Sequence, residues 1–178
     1  MTPALRTRRA SSADAELAGI LRHWRDVVPN DRMAHLVKDA MRAFDRSLEV
    51  RLGEHGVPIG HWRFLRVLWE SDGLTQRELS REAGVMEPTT FAALKAMARR
   101  GWVVRRQLAG NRRKVHVFLT PKGRSLKAKL VPLAEEVNRL AVARVPSNEI
   151  AATRRTLLAV LENLARDATR IPREGGRR

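Results

Sequence analysis

Leucine, valine and tryptophan recur along most of this chain at intervals of three and four residues, the spacing that stacks side chains on one face of a helix. The first such stripe is Leu17, Ile20, Leu21, Trp24 and Val28, which predicts a short amphipathic helix over 15–28. Pro29-Asn30 breaks it, and Asn30 is placed to cap a helix from about Asp31 to His55. The apolar side of that helix is Met33, Val37, Ala40, Met41, Phe44, Leu48 and Leu52, and Gly56 is its stop signal. From about Gly60 to Ser71, Trp62, Leu65, Val67, Leu68 and Trp69 leave almost no polar side, so this helix should be buried.

The pattern then shortens. Thr75-Gln76-Arg77-Glu78 reads as a capping box, with Leu74 and Leu79 as the flanking hydrophobic staple. Such a cap stabilises a helix start by about 1 kcal/mol. Ala83-Gly84-Val85 ends this helix, and the next is expected to start at Pro88, well placed at the first helical position, and to stop before Gly101. In that second helix the spacing predicts Phe91, Leu94 and Ala98 facing inward and Thr89, Ala92, Ala93 and Ala96 facing outward. Two period-2 runs follow, Trp102 to Gln107 and Lys114 to Leu119, around an Ala109-Gly110-Asn111 turn.

Thr120-Pro121 opens a further helix, whose Leu126, Leu130, Leu133, Val137 and Leu140 follow spacings of 4, 3, 4 and 3, like a coiled-coil seam, with Pro132 expected to kink it. Pro146-Ser147 starts the last helix, with Leu157, Leu158, Leu161 and Leu164 apolar. The expected fold is mainly α with a small β-hairpin wing. A winged helix-turn-helix lobe over 60–124 joins a helical dimerisation lobe built from 14–59 and 125–170. Residues 1–13 and 171–178 read as disordered tails, the first of them basic.

Charge sharpens this picture. The 178 residues carry a formal net charge of +16. Between Glu87 and Arg124 there are ten Lys or Arg and one acid, Glu87 itself. A cationic hairpin beside a small-faced helix suits a polyanion, duplex DNA first. Thr89, Thr90 and Ala93 are small enough to let a helix backbone approach base edges in the major groove. Thr75, Gln76, Lys95 and Arg99 are candidates for backbone or groove contacts, and Arg105, Arg112, Arg113 and Lys114 for phosphates or a narrow minor groove.

Other chemistries find little in the sequence. There is no cysteine, and the five histidines form no close pair at helical ligand spacing, so neither disulfide nor metal site is expected. No phosphate-cradling glycine loop and no nucleophile–base pair suggests an enzyme. No apolar run is long enough for a membrane span, and the basic start lacks the apolar core of a secretion signal, so the expected location is the cytoplasm and no membrane partner is expected.

Taken in order, Leu74-Thr75-Gln76-Arg77-Glu78-Leu79-Ser80, Gly84-Val85, Gly101-Trp102-Val103-Val104-Arg105-Arg106, Asn111-Arg112-Arg113 and Leu119-Thr120-Pro121-Lys122-Gly123 resemble the MarR family of winged-helix transcription regulators. The likeness covers about 31–168 and is concentrated in 74–124. It implies a homodimer on a pseudo-palindromic operator, in many members a repressor released by a small aromatic or amphipathic ligand. The sequence departs from the family at Asn111, where Asp is usual, at Met97-Ala98 in place of Leu-Glu, and at Ala92 in place of a long polar residue. Gly60-His61-Trp62-Arg63-Phe64-Leu65 and Glu87-Pro88-Thr89-Thr90 further resemble members that govern aromatic-acid breakdown and sense acyl-coenzyme A thioesters. That likeness implies a site in which Arg46, Arg63 and Arg66 meet phosphates, and Phe44, His61, Trp62 and Trp69 line a slot for a ring. The competing expectation is a non-specific architectural DNA-binding protein without an effector.

Overall fold

The computed structural model describes residues 19–22, 24, 33–108 and 111–170. Both expected tails, the Asn30 cap and the Ala109-Gly110 turn residues lie outside the described residues, as does most of the first expected helix. Residues 19–22 and 24 are helical, and the Trp24 indole N–H donates to Asp39 Oδ2 at 3.0 Å.

Six helices and a hairpin follow, in the order α1 (Met33–Gly53), α2 (Ile59–Glu70), α3 (Gln76–Ala83), α4 (Glu87–Arg99), β1 (Val103–Leu108), β2 (Asn111–Leu119), α5 (Pro121–Ala141) and α6 (Ser147–Arg170). The two strands are antiparallel, with Val103 opposite Leu119 and a register irregularity between Gln107 and Leu108. This is the expected mainly helical architecture with a two-stranded wing. Leu108 pairs with Asn111, so Asn111 belongs to the strand and not to the turn.

The chain divides into two compact units, Met1–Val137 and Asn138–Arg178. The core of the first is centred on α2, where Trp62, Phe64, Leu65, Val67 and Leu68 are all buried, as its continuous apolar pattern requires. Leu52 of α1, Leu79 of α3, Leu94 and Met97 of α4, Val103 and Val117 of the hairpin and Leu130 of α5 close around it. The apolar stripe of α1 is split. Leu48 and Leu52 enter this core, whereas Met33, Leu36, Val37 and Met41 are exposed.

The α5 seam departs from expectation. Leu130 and Val137 are buried within the chain's own core and Leu126 and Leu133 pack against it, leaving only Leu140 of the five exposed. Pro132 lies inside the helical span. At the start of α5 the Thr120 hydroxyl accepts from the Gly123 amide at 3.0 Å and donates to the Gly101 carbonyl at 2.6 Å, which caps the helix and ties it to the turn before β1. In the second unit α6 buries none of its side chains, and Leu157, Leu158, Leu161 and Leu164 are exposed along it. Among the described residues no helix is long and apolar enough to cross a membrane.

Candidate nucleic-acid interface

The capping box forms as its residue spacing predicts. Thr75 is extended, its hydroxyl oxygen accepts from the Glu78 amide at 3.3 Å, and its own amide donates to Glu78 Oε2 at 2.8 Å. The Thr75 hydroxyl also donates to Glu78 Oε2 at 2.7 Å. These two donors, hydroxyl first and amide second, hold the Glu78 carboxyl below the usual carboxylate range, and Lys114 adds to the effect. Thr75 is therefore buried and committed to the cap. As an expected DNA contact it is corrected, because its only hydroxyl is spent inside the lobe. Gln76 beside it is half-buried.

Gly84 turns the chain in the left-handed region at φ 63°, and the Val85 amide donates to the Ser80 carbonyl at 3.0 Å across it. Sequence reasoning gave Ser80 no role. It lies buried, and its hydroxyl donates to the Val85 carbonyl. The Thr90 hydroxyl sits 3.1 Å from both Ser80 Oγ and the Met86 carbonyl. Thr90 is 0% exposed and cannot present itself to a groove, a second correction. Its hydroxyl instead completes a polar link between α3 and α4, satisfied as a buried hydroxyl must be.

The inward stripe of α4 is thus Thr90, Leu94 and Met97. This is turned from the expected stripe by less than the 100° or so of one residue. Met97, unbranched and adaptable, fills the core where Ala98 was expected to lead. Phe91 moves out to the shoulder of the helix and is 46% exposed. The face opposite the core is Pro88, Ala92, Lys95 and Arg99, all exposed. Thr89 is also exposed, and Ala93 is half-buried.

The wing is braced from below. Asp72, in the turn after α2, accepts the Leu119 amide on Oδ1 at 2.8 Å and the Arg124 guanidinium on Oδ2 at 2.6 Å. The Gly73 amide donates to the Val117 carbonyl at 3.0 Å, and the Val117 amide to the Leu74 carbonyl at 2.8 Å. His116 Nδ1 lies 2.8 Å from the Gly73 carbonyl. The segment before α3 therefore runs beside β2 and joins it through a single antiparallel bridge, Thr75 opposite His116. Sequence reasoning missed Asp72. The signal was an Asp-Gly pair between two apolar runs, a turn-forming dipeptide whose carboxylate is free to bond backbone. On the hairpin Arg105, Arg106 and Lys114 are exposed. Arg112 and Arg113 lie in β2.

The expected ligand set is divided. Trp62 is buried, edge-on to Trp69 at 5.6 Å, and the Trp69 indole donates to the Gly123 carbonyl at 3.0 Å. Trp62 belongs to the core, a third correction, whereas Trp69 is half-buried and packs against the same cluster, as does Phe44. Arg63 pairs with Asp45 of α1 at 2.5 Å. Arg46 is half-buried on α1. Arg66 borders a different hollow with Glu70, Glu78 and Arg81. His61, Arg63 and Phe64 do share a cavity of about 450 Å³ with Val85 and with Thr89, Ala92 and Ala93 of α4. His61 lies edge-on to Trp102 at 5.9 Å, and its Nδ1 is buried with no hydrogen-bond partner. Burial, with Arg100 nearby as the lesser cause, pushes its pKa below the ordinary value and favours the neutral ring.

Residues 57–115 match the sequence profile of the MarR family. The chain is 32% identical over 121 residues to the HTH-type transcriptional repressor Rv2887 of Mycobacterium tuberculosis, a match that spans 68% of this chain and 84% of that protein. It is 32% identical over 101 residues to the HTH-type transcriptional regulator TtmR of Methylorubrum extorquens, covering 57% of this chain and 52% of TtmR, about half its length. It is 28% identical over 102 residues to the homoprotocatechuate degradative operon repressor of Escherichia coli, covering 57% of this chain and 67% of the repressor. Among solved structures, a MarR family regulator from Listeria monocytogenes complexed with 26mer DNA superposes with a TM-score of 0.70 at 22% identity, over 83% of this chain and 99% of that one. A MarR regulator from Methanosarcina mazei gives 0.69 at 23% identity, over 75% and 96%. At these identities both structures speak for the fold.

Proposed function

The chain belongs to the MarR family, and on that premise we propose that it is a homodimeric repressor of transcription that grips a pseudo-palindromic operator. The observation that carries this reading is the joint placement of α4 and the hairpin. A capped, tightly turned helix pair presents Lys95 and Arg99 outward, beside a wing bearing Arg105, Arg106 and Lys114. Small residues, Pro88, Ala92 and Thr89, flank those cations and let the helix backbone come close to base edges. Arg112 and Arg113, in the strand next to the turn, add to the positive charge of the wing. The exposed leucines of α6 and the exposed first half of the α1 stripe are the surfaces a second copy would cover. The molecule acts in the cytoplasm, where its DNA target lies.

Selection of bound duplexes from a randomised pool tests the proposal. An inverted repeat should be enriched and bound about 10³-fold or more above random sequence. Its log affinity should fall against log salt with a slope of roughly −5 to −9 per dimer. Tight but sequence-indifferent binding would instead mark an architectural DNA-binding protein.

We further propose that a small aromatic effector releases the DNA from the cavity between α2 and α4. The cavity has apolar walls, one neutral histidine with an unused ring nitrogen, and a shared wall with the helix that would enter the groove. The relative that represses a homoprotocatechuate operon favours the same ligand class. A coenzyme A thioester has less support, because Arg63 is engaged by Asp45 and Arg66 borders another hollow. Calorimetry with an aromatic acid and its thioester separates the two. Heat from neither removes the effector.

A further inference from the structure

Phe91 is the one large apolar side chain of α4 left in solvent, and it does not stand alone. Val103 is buried on one face of β1, and Arg105, two residues on, shares that face just beyond the core. There the Arg105 guanidinium carbon lies over the Phe91 ring, 5.0 Å from its centroid. Among the described residues, none of the ion pairs seen uses Arg105.

A guanidinium drawn to the face of an aromatic ring gives up none of its N–H donors to an acceptor, so they stay available to phosphate oxygens. A carboxylate partner would occupy those donors and cancel the charge; a ring does neither. The pair sits where α4 meets the wing, one shoulder away from Lys95 on the outward face of the helix.

We infer that Phe91 is a positioning residue for DNA binding: it holds Arg105 at the junction of helix and wing so that the guanidinium donors meet the DNA backbone. This rests on the proposed function and adds to it a residue that acts through the arginine it orients. It also accounts for an exposed aromatic ring on a cationic surface whose core needs are met by Thr90, Leu94 and Met97.

The test measures binding of the full chain to a duplex enriched by the wild-type protein from a randomised pool, as a function of salt. Phe91→Leu keeps the apolar bulk and removes the π face; Phe91→Trp keeps it. Phe91→Leu should weaken binding by about two- to fivefold, the range expected of an exposed cation–π contact. Phe91→Trp should bind as wild type. Arg105→Ala should lower the salt slope by about one, and adding Phe91→Leu to it should cost nothing further. Additive losses in the double variant, a Phe91→Leu protein with wild-type affinity and slope, or a Phe91→Trp protein as weak as Phe91→Leu each overturn the inference. So does a lowered melting temperature with unchanged binding, the mark of a mere brace. If the wild type enriches no duplex and binds none in dilute buffer, the repressor reading fails first and this one falls with it.

Discussion

The Asp72 carboxylate accepts the amide of Leu119, 47 residues away in sequence, at 2.8 Å. One side chain thereby sets the height of the wing relative to the turn before the capped helix. Its other oxygen takes Arg124 of α5, and the Gly73 amide adds a third donor at 3.1 Å. Asp72→Ala should cost about 1–3 kcal/mol in urea unfolding, since it orphans a part-buried amide. Asp72→Asn, which keeps one acceptor oxygen, should cost less. Hydrogen exchange at Leu119 should rise in step; unchanged protection there would refute the brace.

Gly123 is the most tightly enclosed of the described glycines. A Cβ there would lie 2.0 Å from the Trp102 carbonyl oxygen, a backbone atom that cannot step aside. Gly123→Ala should destabilise the protein by about 1–3 kcal/mol as an overpacked site. It should also disturb Trp69, whose indole bonds the Gly123 carbonyl. A melt followed by tryptophan fluorescence reports both effects.

His61 gives the fold a pH dependence. Its folded pKa lies below the ordinary 6.5. As pH falls through that value the unfolded chain takes up a proton that the folded chain refuses, so stability present above it is lost. Urea midpoints should therefore drop between about pH 7.5 and 5.5, and His61→Leu should flatten part of that slope. Parallel slopes for the two proteins would contradict this reading of the buried ring.

Arg112→Ala with Arg113→Ala should weaken binding to every duplex and reduce the salt slope by about two, one for each phosphate no longer neutralised. Thermal stability and oligomeric state should stay as in the wild type. Unchanged affinity at physiological salt would remove both residues from the interface.

Leu161, 64% exposed on α6, is a sharper probe of dimerisation than the seam residues of α5 that lie in or against the core. Leu133 packs against the chain's own core, so a charge there would unfold the lobe and obscure the readout. Leu161→Glu should shift sedimentation toward monomer without lowering the helix content of the chain. A dimer of wild-type strength would place the interface elsewhere.

Local chemistry made much of the molecule legible from its residues alone. The Thr75–Glu78 box, the Gly84 stop, the Thr120 cap and the largely apolar α2 each depend on neighbours within a few positions, where residue type and spacing decide the outcome; the helix around Pro88 was legible too, though it begins one residue earlier, at Glu87. The cationic excess of 87–124 needed no coordinates either. What required the tertiary structure was the direction in which side chains point and what they meet across long separations. The inward face of α4 depends on a few tens of degrees of rotation, set by the fit of Met97 and by the Ser80–Thr90 link, and a 100° period cannot resolve that. Trp62 and Trp69 have the composition of a ligand slot, but they meet each other, Trp62 buried in the core and Trp69 packed against it and bonded to Gly123. The Asp72–Leu119 bond and the Phe91–Arg105 contact join residues that no short-range pattern connects, because only packing brings their elements together.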